Sequence, residues 1–317
     1  ILIVPRKMTV FSYILISIAL IIPIIIGLAY IFTSNEAGNL LEYQKSSNYK
    51  FVELSHGLTA YKEFGSKSDT PIIVIHGATL PSESFLGFCE GLSQKGYWII
   101  CYDQYGRGFS DRPKIKYDIN LYISQLSELI NYLSIDNVIL YGSSMGAPIA
   151  INYSNKYPNS ILAVGLQVPL VQGKNKILKI MKIPFVGNAV LRFFGIPFIK
   201  KRALQWPSED KSQRIFIEKY IKQLTLPGTE QSILSSLRNV ASENFYPSYV
   251  NFSKLNIPIH ISYASDDEEI NPASVQSVLE ATPHAENFIF SGGHGGGIKI
   301  VPEIINLFTK FLERNSN

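Results

Sequence analysis

In this 317-residue chain, the pentapeptide Gly142-Ser143-Ser144-Met145-Gly146 is the stretch whose residue types most directly suggest chemistry. It follows the apolar run Asn137 to Tyr141 and leads into the helical pattern Ala147 to Lys156. A G-x-S-x-G turn between a strand and a helix lifts one serine hydroxyl clear of the strand end. The helix N-terminus then aims the Met145 N–H at the place where an oxyanion would form. Taken alone, the pentapeptide would serve equally well as a Gly/Ser turn in a βα loop. The strand before it and the helix after it are what mark Ser144 as the expected nucleophile.

A serine hydroxyl needs a base. The chain has His56, His76, His260, His284 and His294. His294 sits in the glycine loop Ser291 to Gly297, directly after the apolar run Phe288 to Phe290, so it lies at a strand's C-terminal end as Ser144 does. His284 precedes that strand and reads as a surface turn residue. His260 falls inside a strand and reads as a satisfied core histidine. A carboxylate should orient the base and stabilise its cation. Asp266-Asp267-Glu268-Glu269 follows the strand-like run Ile257 to Tyr263 on the same side. An acidic loop cluster by itself is usually just solvated. Asp267 is the preferred acid, with Asp266 as the alternative.

The positioning elements follow from hydrophobic patterning. Phe51 to Leu54 and Leu58 to Phe64 read as short strands joined at Gly57. Pro71 to Ile75, Tyr97 to Tyr102, Asn137 to Tyr141, Ile161 to Val168 and Ile257 to Tyr263 are continuous apolar runs, the mark of strands buried on both faces. Helical patterns near 82–95, 121–133 and 147–156 alternate with them. This predicts an α/β fold with a mostly parallel sheet covered on both sides. Residues 170–250 break the rhythm with Pro184, Pro197, Pro207 and Pro227 between apolar helical patterns, and read as a helical insertion after the sixth strand. Cys89 and Cys101 read as small core residues.

From about residue 50 onward the chain resembles the α/β-hydrolase fold superfamily. His76-Gly77 resembles that family's HG motif, which implies that the Ala78 backbone amide joins Met145 in an oxyanion hole. Asp103 to Ser110 resembles its D-x-x-G-x-G-x-S loop, which is structural and removes Asp103 from the candidate acids. Ser144, Asp267 and His294 match the nucleophile, acid and base in the family's chain order. The family places a cap where 170–250 falls, leaving 51–169 and 251–317 as the core. Departures are Gly146-Ala147 for the common Gly-Gly, Ala264 for a usual glycine, and glycines after His294. The resemblance implies a serine hydrolase, esterase- or lipase-like, working by acyl transfer with no metal or organic cofactor. An aspartate at the elbow, as in haloalkane dehalogenases and epoxide hydrolases, is absent. C–C bond hydrolysis, acyl transfer to another acceptor, and a non-catalytic binding protein are the alternatives.

The composition bounds the rest. Apolar residues make up 46% and charged residues 17%, which excludes a disordered or highly solvated chain. A net charge of +4 does not call for nucleic acid. Two cysteines support neither a disulfide scaffold nor a four-ligand zinc site. The stretch Val10 to Phe32 carries no charge over 23 residues. As a helix it would reach about 34 Å, enough to cross a hydrocarbon core of about 30 Å despite Pro23. Arg6 and Lys7 precede it, which orients the N-terminus to the cytoplasm and the hydrolase domain to the extracytoplasmic side. A start at Met8 would weaken that orientation, and a cleaved signal peptide is the competing reading. Residues 33–50 read as a polar linker. Residues 170–250 hold 13 basic and 5 acidic residues. Val186 to Lys201 sets Phe193, Phe194 and Phe198 beside the basic run Lys200-Lys201-Arg202, which suits a membrane surface and an acyl-lipid substrate such as a monoacylglycerol. A lid with merely solvated lysines is the plainer reading of the same segment.

Overall fold

The computed structural model describes residues 9–173, 176–206 and 211–315. Arg6, Lys7, Met8 and Pro207, on which parts of the orientation, start-site and insertion readings rest, lie outside these residues.

The chain begins with helix α1 (Val10–Phe32), capped by the Thr9 side chain and continuous through Pro23. It is long and apolar enough to cross a membrane, and none of its most apolar window is buried against the rest of the chain. Helix α2 (Leu40–Lys45) follows. The linker is therefore not a free tether. Tyr43 stacks on Phe109 at 4.5 Å, and the buried Gln44 donates to Phe109 O and Asp111 Oδ1. Leu40, Tyr43 and Tyr49 give this Ser/Asn-rich stretch enough apolar surface to dock on the domain.

Eight strands form one sheet: β1 (Lys50–Leu54), β2 (Gly57–Phe64), β3 (Thr70–Ile75), β4 (Tyr97–Tyr102), β5 (Val138–Ser143), β6 (Ile161–Gln167), β7 (Ile259–Ala264) and β8 (Glu286–Phe290). Their order is β1-β2-β4-β3-β5-β6-β7-β8. Only β2 runs against the rest. This is the α/β-hydrolase fold. The apolar runs of β3, β4 and β5 are buried on both faces, as continuous Ile/Val character requires.

Helices α3 (Leu86–Ser93), α4 (Ile119–Tyr132) and α5 (Gly146–Lys156) alternate with these strands. Between β6 and β7 come α6 (Lys176–Met181), α7 (Val186–Val190), α8 (Ile196–Ala203), α9 (Lys211–Gln223), α10 (Thr229–Ser236) and α11 (Tyr246–Ser253). A π-helical turn, Leu191–Gly195, joins α7 to α8 in one continuous run. Helix α12 (Pro272–Ala281) precedes β8, and α13 (Val301–Asn315) ends the fold. Helices α4, α5, α11 and α12 cover one face of the sheet, and α3 and α13 cover the other. The helices between β6 and β7 hold a separate small core that includes Met181, Leu191, Ile196, Tyr220 and Ile233. Cys89 and Cys101 are free and fully buried, matching their reading as core residues.

Candidate active site

The C-terminal ends of β3, β5, β7 and β8 meet at one rim of the sheet, and each delivers a residue singled out from the sequence. At the end of β5 the chain turns so sharply that Ser144 adopts φ +52, a left-handed conformation that costs a non-glycine residue about 1–2 kcal/mol. The flanking glycines are required by space. A Cβ on Gly142 would stand 2.6 Å from the Gly146 carbonyl oxygen, and one on Gly146 would stand 2.1 Å from that of Ile75. Three backbone bonds hold the turn: Ser144 N–H donates to Gln167 O (2.9 Å), and Ser144 O accepts from Ala147 N–H and Leu170 N–H (3.1 Å each).

Ser144 Oγ lies 3.0 Å from His294 Nε2, and His294 Nδ1 lies 2.8 Å from Asp267 Oδ2. An ionised carboxylate only accepts, so Nδ1 carries the proton and Nε2 is left as the acceptor facing the serine hydroxyl. Asp267 is 8% exposed, and its other oxygen, Oδ1, accepts from the N–H groups of Glu269 and Ile270, each at 2.8 Å. The neighbouring aspartate does different work. Asp266 faces solvent and accepts from the N–H groups of Gly292 (3.0 Å) and Gly293 (2.9 Å). Those bonds hold its carboxyl below the usual carboxylate range. Asp266 thus ties down the glycine loop that carries His294, while Asp267 touches the imidazole.

Gly77 and Ala78 leave β3 beside the serine: a Cβ on Gly77 would come 3.2 Å from Ser144 Cβ. Among the described residues, neither the Ala78 nor the Met145 N–H donates a loop or cap hydrogen bond. The Ala78 peptide is held from behind by the buried Arg107, whose Nε donates to Ala78 O. The same guanidinium donates to Ser232 Oγ (2.9 Å) and Ser236 Oγ (3.1 Å), linking this loop to α10.

His76, His260 and His284 stand outside this arrangement. His76 Nε2 accepts from Gln104 N–H (2.9 Å), so its Nδ1 donates to Gly77 O (2.8 Å). Burial, with Arg107 pushing the same way, drives its pKa down to about 3 against the opposing Gly77 carbonyl, so it is neutral. His260 is buried beside Phe308 and Phe311, and burial pushes it down to about 4. Its Nδ1 lacks a hydrogen-bond partner among the described residues, so it is not the satisfied core histidine expected. The phenyl rings around it offer no acceptor. His284 lies in an exposed turn. Asp103 is wholly buried and accepts from Ser82 N–H, Ser82 Oγ and Phe109 N–H, each at 2.8 Å; burial nonetheless raises its pKa. It braces the loop that follows β4 and does not reach His294.

A cavity of about 230 Å³ opens onto Ser144 and His294. Its walls include Leu80, Phe85 and Phe88 from the core and Phe198, Ile199, Trp206 and Tyr220 from the helices between β6 and β7. One pair there is not individually marked by the sequence. Glu269 Oε2 stands 4.0 Å from His294 Nε2, and its Oε1 pairs with Arg202 Nη1 at 2.8 Å. In the sequence Glu269 is one member of an acidic loop cluster and Arg202 one of a basic trio. Only the approach of α8 to the β7 loop joins them.

The family model described as serine aminopeptidase, S33, matches residues 66–293. Lipase 3 of Moraxella sp. (strain TA144) is 23% identical over 293 residues, covering 88% of this chain and 90% of that protein. A carboxylesterase structure from the thaumarchaeon Nitrososphaera gargenis superposes with a TM-score of 0.70 at 18% identity, covering 84% of this chain and 99% of that one. The structure of a membrane phospholipase A, described as a bacterial virulence factor, superposes with a TM-score of 0.69 at 17% identity and covers 96% of this chain and 99% of that one.

Proposed function

We propose that this chain, which belongs to the serine aminopeptidase S33 family and is a hydrolase of the α/β-hydrolase superfamily, cleaves acyl-lipid esters at a membrane surface through Ser144, His294 and Asp267. The observation that carries the reading is the unbroken relay from Ser144 Oγ to His294 Nε2 (3.0 Å) and from His294 Nδ1 to Asp267 Oδ2 (2.8 Å).

The chemistry follows from that relay. His294 Nε2 takes the hydroxyl proton as Ser144 Oγ attacks the ester carbonyl. Asp267 accepts from Nδ1–H throughout and stabilises the imidazolium that forms. The N–H groups of Ala78 and Met145 receive the oxyanion, each worth about 3 kcal/mol in the transition state. The imidazolium then protonates the leaving alcohol. Water, deprotonated by His294, attacks the acyl carbonyl; the bond to Ser144 Oγ then breaks, the imidazolium returns its proton to that oxygen, and the acid leaves.

The substrate class rests on two features. The cavity walls beside Ser144 are largely aromatic and aliphatic, which suits an acyl chain. Helix α1 is long and apolar enough to span a bilayer, and we read it as the anchor, with the helices between β6 and β7 as a cap over the site. The names of the lipase and membrane phospholipase relatives agree with this reading.

A fluorophosphonate should label the wild type and not Ser144→Ala. Ester hydrolysis should rise with acyl length beyond the short soluble esters. Folded wild-type protein that takes no label would overturn the hydrolase mechanism. A preference for short soluble esters, untouched by neutralising Lys200 and Lys201, would overturn the lipid assignment alone.

A further inference from the structure

We propose that the cap is latched onto the C-terminal end of α1, and that this latch holds the cavity mouth against the lipid leaflet in which α1 ends. The proposal rests on the reading of α1 as a membrane anchor and of Ser144 as the nucleophile.

The last carbonyls of a helix have no partners within it and form its negative end. Helix α1 has no basic residue in its last turn. A distant cation supplies what is missing. Arg192, in the α7–α8 run, donates through Nη1 to Tyr30 O (2.5 Å) and Thr33 O (2.6 Å). Its guanidinium carbon stands 3.8 Å from the centre of the Tyr30 ring. Arg192 Nε in turn pairs with Glu230 Oε2 at 2.7 Å, with both side chains largely buried.

The contact is reciprocal. Glu36, four residues beyond α1, places its two carboxylate oxygens on Gly228 N–H (3.0 Å) and Glu230 N–H (2.6 Å) at the start of α10. Asn35 Nδ2 donates to Arg192 O (3.1 Å) and Glu230 Oε1 (3.0 Å), and Gly38 N–H donates to Thr225 O (2.8 Å). The cap thus closes the end of the membrane helix, and the segment after that helix closes the end of a cap helix. A simple tether would need none of these bonds.

The position of the latch sets the position of the mouth. A 23-residue helix covers about 34 Å, so its end near Phe32 lies at the edge of a hydrocarbon core of about 30 Å. Phe194 and Phe198 follow Arg192 along one helical run, about 3 Å and 9 Å further on at 1.5 Å per residue. They are 70% and 65% exposed, and Phe198 also lines the cavity. Phe185 and Leu204, at the two ends of the same run, are 88% and 69% exposed. Lys200 and Lys201 provide positive charge beside them, complementary to anionic lipid, while Arg202 is paired with Glu269. An apolar helix face at a membrane surface sinks about 5–10 Å into the boundary of headgroups and acyl chains, so in this proposal these side chains enter that layer and the mouth they flank opens toward it.

The test uses the full chain in phosphatidylcholine vesicles containing a minority of phosphatidylglycerol. In Phe194→Trp, the added fluorescence should be quenched by lipids brominated near the headgroup end of their acyl chains. Arg192→Gln should lower hydrolysis of a vesicle-embedded long-chain ester about tenfold, through loss of a charge-assisted contact, while a short soluble ester is hydrolysed within about twofold of wild type. Arg192→Lys should recover part of the loss. An unquenched Phe194→Trp variant, including one shielded by a second copy of the chain, overturns the latch. So does an Arg192→Gln enzyme with an unchanged ratio of embedded to soluble rates. If Arg192→Gln does not fold, quenching in Phe194→Trp decides alone. A wild type inert to fluorophosphonate would instead sink the hydrolase reading on which the proposal rests.

Discussion

Replacing Asp267 by asparagine tests the proposed relay at its least visible member. The carboxylate uses its two oxygens differently: Oδ1 accepts from two backbone N–H groups, and Oδ2 accepts from His294 Nδ1. In Asp267→Asn the amide oxygen must stay on the two N–H donors, because turning the NH₂ toward them would leave three donors facing each other. The amide NH₂ therefore faces His294. The imidazole answers by accepting at Nδ1 and carrying its proton at Nε2, where it points at Ser144 and cannot act as a base. The expected loss is on the order of 10⁴ in kcat, about 5 kcal/mol, the size that a wrong-tautomer histidine costs in a serine protease. KM should hardly move, since no substrate contact is removed. Asp266→Asn is the control one residue away: its partners are loop N–H groups and solvent, so the loss should stay within about tenfold. Steady-state rates on a soluble ester, with fluorophosphonate labelling rates beside them, measure both variants. A reversal, with Asp266→Asn inactive and Asp267→Asn retaining a tenth or more of the activity, would refute the assignment and the tautomer argument together.

Three further outcomes follow. Ser144→Gly should abolish labelling yet match or exceed the wild type in Tm, because φ +52 costs a serine about 1 kcal/mol that glycine does not incur; a clear fall in Tm would contradict the strain argument. Gly146→Ala should destabilise by several kcal/mol, since its Cβ would meet the backbone oxygen of Ile75 at 2.1 Å and neither strand nor elbow can yield cheaply; urea midpoints read this directly. His76 and His260 are neutral when folded, with pKa values driven down to about 3 and 4, so the unfolded chain binds more protons below its ordinary histidine pKa near 6.5. Stability should hold above that value and drop as pH falls from 6.5 toward 4; urea midpoints that stay level between pH 7 and pH 5 would contradict it.

Much of the core was readable because its signals are local. Continuous Ile/Val runs give both-face-buried strands wherever they occur, and β3, β4 and β5 fall within a residue or two of their runs. The glycines of the elbow are dictated by the turn itself. His294 was legible from its place after an apolar run, without knowledge of what it would face. The segment 33–50 was harder to read. Its polar composition masks Leu40, Tyr43 and Tyr49, whose docking surface lies on Phe109 and Leu226, distant in the chain. His260 misled for a similar reason: the aromatic side chains that surround it come from α13.

The succession of strands and helices along the chain, the sharp turn at Ser144 and the membrane-length helix α1 could all be inferred from residue types taken in succession, because each depends on backbone sterics or hydrophobic patterning over a few neighbouring positions, whereas the order of the strands within the sheet depends on distant pairings. Three other matters could not. Which of two adjacent aspartates meets the imidazole depends on how β7 and β8 are staggered, and a one-residue step along a turn reverses the direction of a side chain. The meeting of Glu269 with Arg202 depends on where α8 crosses the rim. The capping of α1 by Arg192 joins groups some 160 residues apart, whose attraction exists only once folding has brought a helix end and a guanidinium into one shielded place.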